Sequence, residues 1–289
     1  MMPGKENRTD PSQLPELSLE WIRNTELLEV PGGARRLLEH YGKIPHNDVM
    51  QHINQVRYRA LETYPYPCIG HYRFLDIQIV KSRAYNEIVA RLNKGEQLLD
   101  VGCCIGQELR QLVADGAKSE NLYGVDLYDK FFDISYDLFR DRDTFKGTLI
   151  AADLFTPKPM LSRLEGKFDV IWTSNVLHLF TWEKQVTAVA AMLKLLSKSS
   201  NSMIAGRFMG HSTPGGYNYG FRGQEESIYR HDDQSFKKMF QTACDGLEEA
   251  WEADVEAPEW KETLELRSQG ELDSTWTLEL KFVARRLGK

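Results

Sequence analysis

Three aspartates stand at or near the ends of three successive apolar segments: Asp100 in Leu98-Leu99-Asp100-Val101, Asp126 in Gly124-Val125-Asp126, and Asp153 in Ala151-Ala152-Asp153. Asp100 leads into Gly102-Cys103-Cys104-Ile105-Gly106, a D-x-G-x-x-x-G loop. Gly102 allows a tight turn that brings bare backbone against a ligand. Gly106 opens a helix whose free N–H groups favour a negative or polar group. Asp100 offers a carboxylate to a cationic amino group, so the loop meets the needs of an α-amino acid moiety. Asp126 falls 20 residues after Gly106, where a carboxylate can accept both ribose hydroxyls of a nucleoside. Asp153 can read an adenine amino group, with Leu127 and Leu154 sandwiching the ring. Taken singly, each acid is equally an ordinary turn residue. Three acids at three strand ends, on the face where α/β proteins bind ligands, form a stronger signal than any one of them.

Those side chains need a scaffold that repeats a strand and a helix, and the pattern from Gln97 onward supplies it. Strands are expected over Gln97–Val101, Asn121–Asp126, Thr148–Asp153, Phe168–Ser174 and Ser202–Phe208. Helices are expected over Ile105–Asp115, Lys130–Arg140 and Trp182–Ser197, each with one apolar face. Such alternation argues for a parallel sheet covered on both faces. Leu247–Ala257 and Thr275–Arg285 read as two further strands joined by a polar connection, which suits an antiparallel pair. Upstream, residues 33–42 and 47–63 look helical, the second with an apolar stripe of Val49, Ile53, Val56, Tyr58 and Leu61, and a third helix is expected over Phe74–Leu92. The fold class is therefore α/β: a Rossmann-like, seven-stranded, mostly parallel sheet with a C-terminal antiparallel hairpin and an N-terminal helical cap. Residues 1–20 read as a flexible tail, 21–94 as the cap and 95–289 as the sheet domain, with an insertion at 210–230.

The series LLDVGCCIGQ, YGVDLYD, AADLF and FDVIWTSNVLHLF resembles motifs I to IV of class I S-adenosylmethionine-dependent methyltransferases, over roughly residues 95–208. The resemblance implies S-adenosylmethionine as cofactor. Asp100, Gly102 and Gly106, with Cys103 between them, would hold the methionine end. Asp126 would hold the ribose and Asp153 the adenine, with Leu127 and Leu154 on the faces of its ring, while Asn175, followed by Val176, would lie near the sulfonium. The wording YPCIGHYRFLD, LLDVGCCIGQELRQLVADG and SENLYGVDL also resembles fungal O-methyltransferases of meroterpenoid biosynthesis, best over residues 64–155. That resemblance implies methyl ester formation on a carboxyl of a polyketide–terpenoid secondary metabolite. One departure is that Cys103 and Cys104 stand where many relatives carry a small residue or glycine. Small apolar filling of a tight loop is preferred for both over redox or nucleophilic roles. The loop lacks G-x-G-x-x-G, which disfavours a dinucleotide oxidoreductase.

A carboxylic acid acceptor, with a pKa of about 4, is ionised at neutral pH and needs no base; a phenol at about 10 gains from one. His178, in Asn175-Val176-Leu177-His178, is the candidate catalytic base; equally, it is a loop histidine that caps a helix or packs on Trp182. No metal is expected. The positions after the fourth and fifth strands read Thr173-Ser174-Asn175 and Arg207-Phe208-Met209, without the clustered oxygen anions that hard cations want. The segment 210–230 is long, glycine-rich and aromatic, and reads either as a surface loop or as a substrate wall carrying Tyr217, Tyr219 and Phe221. Arg207, His211 and Arg222 are candidates to pair with an acceptor carboxylate, Arg73 to bind substrate at the cofactor mouth, and His178 to contact the acceptor.

Composition sets outer bounds. The 289 residues are 42% hydrophobic and 27% charged, as in an ordinary globular enzyme. The net charge of −6 and the lack of a basic stripe exclude a duplex nucleic-acid binder. No apolar run is long enough to span a membrane, and the first 20 residues lack the apolar stretch of a signal peptide. Cysteine usage fits a reducing compartment: none of the four forms a CxxC pair, and Cys103 and Cys104 are adjacent. The expected setting is cytoplasmic, with a small-molecule acceptor, and a homodimer is left open. The rival readings are transfer to a phenol, amine, lipid or thiol, a cofactor-binding protein that does not methylate, and a cyclase on the same fold.

Overall fold

Strand β1 (Leu98–Val101) is an interior strand of one seven-stranded sheet. Its partners are β2 (Leu122–Asp126), β3 (Thr148–Ala151), β4 (Val170–Ser174), β5 (Met203–His211), β8 (Trp251–Glu256) and β9 (Thr277–Arg286), in the order β3-β2-β1-β4-β5-β9-β8. The five strands from β3 to β5 pair in parallel, and β9 runs antiparallel to both β5 and β8. The expected parallel sheet with a terminal antiparallel pair is therefore the observed architecture. A separate two-stranded sheet joins β6 (Gly215–Tyr217) and β7 (Ile228–Arg230). This computed structural model describes residues 25–156, 159–199, 201–217, 227–247, 250–256 and 277–287.

Side chains alternate across a strand, and the sheet sorts its core accordingly. Leu98, Trp172 and Ala205 belong to the apolar cluster that includes Val49, Ile53 and Ile88 of the N-terminal region. Leu99, Val101, Ile171 and Ile204 belong to the opposite cluster, with Val189 and Phe236. The in-register pair Asp100–Trp172 places Asp100 on the N-terminal, or cap, face.

The cap begins with α1 (Gly32–Arg36), continued by a π turn over Leu37–Tyr41, followed by α2 (Val49–Thr63) and the short α3 (Pro67–Gly70). On α2 the buried stripe runs Val49, Ile53, Val56, Ala60, so Leu61 is only partly buried and Tyr58 faces solvent, contrary to the expected stripe. The single helix expected over Phe74–Leu92 is replaced by two 3₁₀ turns, Arg73–Leu75 and Ile79–Lys81, and then α4 (Tyr85–Leu92). The cause is a distant partner. The Gln78 and Ile79 N–H groups donate to the Glu108 carboxylate, which draws that backbone away from helical pairing.

The remaining helices are α5 (Gln107–Ala114), α6 (Lys130–Phe139), the four-residue α7 (Pro159–Ser162), α8 (Trp182–Leu195) and α9 (Asp233–Cys244). α5 starts two residues later than expected, because Gly106 is left-handed at its N-cap. β5 extends to His211, so the expected insertion begins as strand. α9 has no counterpart in the sequence reading. It is closed by a capping box in which Asp232 accepts from the Ser235 N–H and Ser235 from the Asp232 N–H. The strand expected from Leu247 starts at Trp251.

Candidate functional site

The carboxyl ends of β1 to β5 converge, as expected for ligand binding in an open α/β sheet. At β1 the chain turns through Gly102 (φ +77°), Cys104 (φ +46°) and Gly106 (φ +68°). A Cβ on Gly102 would lie 2.2 Å from Val176 Cγ2, so only glycine fits beneath the loop that follows β4. This contact brings Val176, and with it Asn175 (φ +60°, its N–H bound to Arg207 O at 3.0 Å), onto the glycine loop. The Cys103 thiol occupies the space above Gly124, where a Cβ would approach Sγ to 2.7 Å. Burial holds both the Cys103 and Cys104 thiols well above their ordinary range, the opposite of what a nucleophile needs. Both cysteines fill the loop.

Asp126 ties this loop to β2. Its Oδ2 accepts the Cys104 N–H at 2.8 Å and its Oδ1 the Tyr128 N–H at 3.3 Å. A left-handed cysteine is tolerated where its amide gains a charge-assisted partner. Leu127, next in the chain, is 39% exposed, an apolar surface beside the Asp126 carboxylate. At the end of β3, the Ala152 N–H donates to Asp126 O. Asp153 closes its own turn by accepting from Phe155 N–H at 2.9 Å and Thr156 Oγ1 at 3.3 Å, with half-buried Leu154 between them.

Asp100 is 2% exposed, and its Oδ2 is buried without a hydrogen-bond partner among the described residues. Desolvation drives its carboxyl well above the ordinary range, and the charges of Glu108 and Asp126 add to the shift. Burial raises Asp126 as well, against the pull of its amide donors. Glu108, which the sequence reading overlooked, is pushed up to about 7 by burial despite its two backbone donors. Asp100 and Asp126, two buried carboxylates with an unpaired oxygen on Asp100, suit a cationic ligand. S-adenosylmethionine, with its ammonium and sulfonium, fits this donor set. The bare Gly102 backbone, Asp126 and the Leu127–Leu154 pair offer places for its remaining parts.

His178 sits in a 3₁₀ turn, Leu177–Leu179, and its Nδ1 accepts the Met209 N–H of β5 at 3.2 Å. Arg207, 4% exposed, pairs through Nη2 with Glu279 Oε2 at 3.0 Å, and its Nε is buried without a partner among the described residues. Burial lowers its pKa, against the charges of Glu279, Asp76 and Glu108; Arg73 is a further cation in reach. Arg73 thus acts electrostatically on Arg207. His211 and Tyr217 meet each other: His211 Nδ1 accepts the Thr213 N–H at 3.0 Å, and the Tyr217 ring packs on the His211 ring at 4.5 Å. Tyr219, Phe221 and Arg222 lie outside the described residues. Among the described residues no group of three or more His, Cys, Asp or Glu is arranged to hold a metal ion, and no helix is long and apolar enough to cross a membrane. A cavity of about 520 Å³, lined by Trp182, Glu183, Tyr229 and Lys238 among others, lies at the first turns of α8 and α9 and shares no residue with the acids.

Comparison with known proteins places these features in context. Residues 21–75 match a family model described as a meroterpenoid methyltransferase N-terminal domain, and residues 98–199 one described as a methyltransferase domain. The chain is 38% identical over 278 residues to the O-methyltransferase phiE of Fungal sp. strain ATCC 74256, covering 92% of each. It is 44% identical over 179 residues to the asnovolin E/chermesin D methyltransferase nvfJ of Aspergillus novofumigatus, covering 62% of this chain and 64% of the relative. Among solved structures it is similar to Haemonchus contortus phosphoethanolamine N-methyltransferase 2 in complex with S-adenosylmethionine, with a TM-score of 0.50 at 14% identity, covering 88% of this chain and 60% of the other. The N-terminal domain of EvdMO1 with S-adenosylhomocysteine bound also gives 0.50 at 14% identity, covering 80% and 96%. At such identity these two structures speak for the fold alone.

Proposed function

The chain belongs to the S-adenosylmethionine-dependent methyltransferases of the fungal meroterpenoid type, and from that premise we propose that it methylates a carboxyl oxygen of a largely apolar small molecule to give a methyl ester. O-methylation with S-adenosylmethionine is the chemistry of this group of enzymes; the carboxyl acceptor is the reading developed here. When bound, the cofactor supplies a methyl group already activated on a sulfonium, so alignment and exclusion of water are the protein's main tasks.

The observation that carries the carboxyl reading is the Met209–His178 hydrogen bond. A backbone amide can only donate, so Nδ1 of His178 presents its lone pair to Met209. The proton of the neutral imidazole then resides on Nε2. In this tautomer His178 has no lone pair left to serve as a base. A carboxylate is ionised already and needs no base; a phenol would need its proton removed. Arg207, whose Nη2 pairs with Glu279, keeps a buried Nε without a partner among the described residues, a donor suited to the same anionic group.

In this reading Asp100, Gly102, Cys103 and Gly106 hold the amino-acid end of the cofactor. Asp126 holds the ribose, Asp153 the adenine with Leu127 and Leu154 on the faces of its ring, and Asn175 and Val176 the neighbourhood of the sulfonium. Residues 21–94 form the cap, residues 95–289 the catalytic domain, and residues 210–230 one wall of the acceptor pocket.

The test incubates the enzyme and labelled cofactor with matched acid and phenol forms of one aromatic terpenoid. Label is expected in the ester of the acid. Methylation of the phenol oxygen with the acid left untouched would overturn the carboxyl reading.

A further inference from the structure

Residues 73–81 pass beside Glu108 and Arg207 as two single 3₁₀ turns, with Asp76 between them. A helix would satisfy its own amides here. Instead the Gln78 and Ile79 N–H groups donate to Glu108 Oε1 and Oε2, each at 2.9 Å. Glu108 lies in the first turn of α5, two residues after Gly106, and is 3% exposed. The segment it holds carries Asp76, bound by Gln78 Nε2 and Lys81 Nζ, and Arg73. Asp76 and Arg73 both act electrostatically on Arg207. Gln78 Oε1 and Arg207 Nε are buried without partners among the described residues, so the polar groups near this segment retain unmet hydrogen-bonding capacity.

We propose that Glu108 is a positioning residue for the acceptor: by clamping the Gln78 and Ile79 amides it fixes the segment that carries Arg73 and Asp76, whose charges act on Arg207, and so sets the acceptor's polar subsite from the helix that follows the cofactor loop. This rests on the methyl-acceptor reading above and deepens it. Two N–H donors require two accepting oxygens. The ionised carboxylate supplies both, whereas protonation turns one oxygen into a donor and strands an amide. Burial brings Glu108 to about 7, so the clamp engages as pH rises through neutrality and slackens below it. The titratable and charged groups facing it are Asp76 and Tyr85 from the cap, Asp100 from β1 and Arg207 from β5.

Steady-state kinetics on the full chain with an aromatic terpenoid acid, together with calorimetric cofactor affinity, test this. Wild-type acceptor KM should fall as pH rises from about 6 to 8, on either side of the Glu108 midpoint, while kcat stays level. Glu108→Gln should raise acceptor KM about tenfold at pH 8, the loss of one charge-assisted hydrogen bond, and should flatten its pH dependence. Cofactor Kd should stay within about threefold, a split that general loosening of the fold would not produce. Glu108→Asp should retain the pH dependence, because it retains the charge. Equal losses in acceptor KM and cofactor Kd for Glu108→Gln, or an unchanged KM, would overturn the proposal. Should Glu108→Gln fail to fold, a wild-type acceptor KM that is flat with pH would do so. Failure of the carboxyl reading would look different: label on a phenol, with kcat itself rising with pH.

Discussion

The Met209 N–H donates to His178 Nδ1 across 3.2 Å and so joins the turn after β4 to the end of β5. This one bond orients the imidazole and sets its tautomer. His178→Ala should therefore lower kcat by less than about tenfold and leave it nearly flat from about pH 6 to 9 with an acid acceptor. A loss of about 10²–10⁴-fold, with a steep rise in wild-type kcat over that range, would identify a general base instead.

Gly102 and Val176 are matched in size. Gly102→Ala must accommodate a left-handed alanine, at about 1–2 kcal/mol, and a clash with Val176 Cγ2, at about 1–3 kcal/mol. Cofactor affinity by calorimetry should fall accordingly. Adding Val176→Ala should recover the clash but not the backbone strain, so the double variant should bind between the two. Wild-type affinity in Gly102→Ala alone would mean that the loop is free to relax.

Cofactor binding should release protons. Burial raises Asp100, Glu108 and Asp126, so below about pH 7 the folded free chain holds protons that the unfolded chain has lost. Stability of the cofactor-free protein should thus fall as pH rises from about 4 to 7, the interval between ordinary carboxyl values and the Glu108 midpoint. A cationic ligand favours the ionised forms of Asp100 and Asp126 and displaces their protons. Calorimetry in two buffers of different ionisation enthalpy should report net release near pH 6 that shrinks in Asp100→Asn. Proton uptake, or identical heats in both buffers, would contradict this account.

A second buried charge network anchors the cofactor helix. Arg110 of α5 binds Asp141 through Nε and Nη2, at 2.8 and 3.1 Å, and lies 3.9 Å over the Phe145 ring, while Tyr41 Oη donates to Asp141. Asp141→Ala should destabilise the fold by about 3–5 kcal/mol, because it leaves a guanidinium buried and unpaired. The double change Arg110→Met with Asp141→Leu should be milder than Asp141→Ala alone. Urea unfolding measures both, and equal losses would show that packing rather than charge dominates.

Periodicity was enough to read most of this molecule. The alternation of Leu98 with Leu99, and of Trp172 with Ile171, encodes burial on two faces, and the glycine loop and the acids at 100, 126 and 153 follow from where those strands stop. α9 went unread although its signals are present: Asp232 and Ser235 form a capping box, and Phe236, Met239, Phe240 and Ala243 recur at helical spacing. Tertiary contact decided the rest. Nothing local says that the amides of residues 78 and 79 will prefer a carboxylate 29 or 30 residues away to their own helix, nor that His178 will spend its Nδ1 on Met209 while His211 packs on Tyr217. Hydrophobic pattern is a property of neighbours along the chain and survives in the sequence. Hydrogen-bond partners, tautomers and the pKa of a buried acid depend on which distant groups exclude water from it, and those are fixed only when the faces meet.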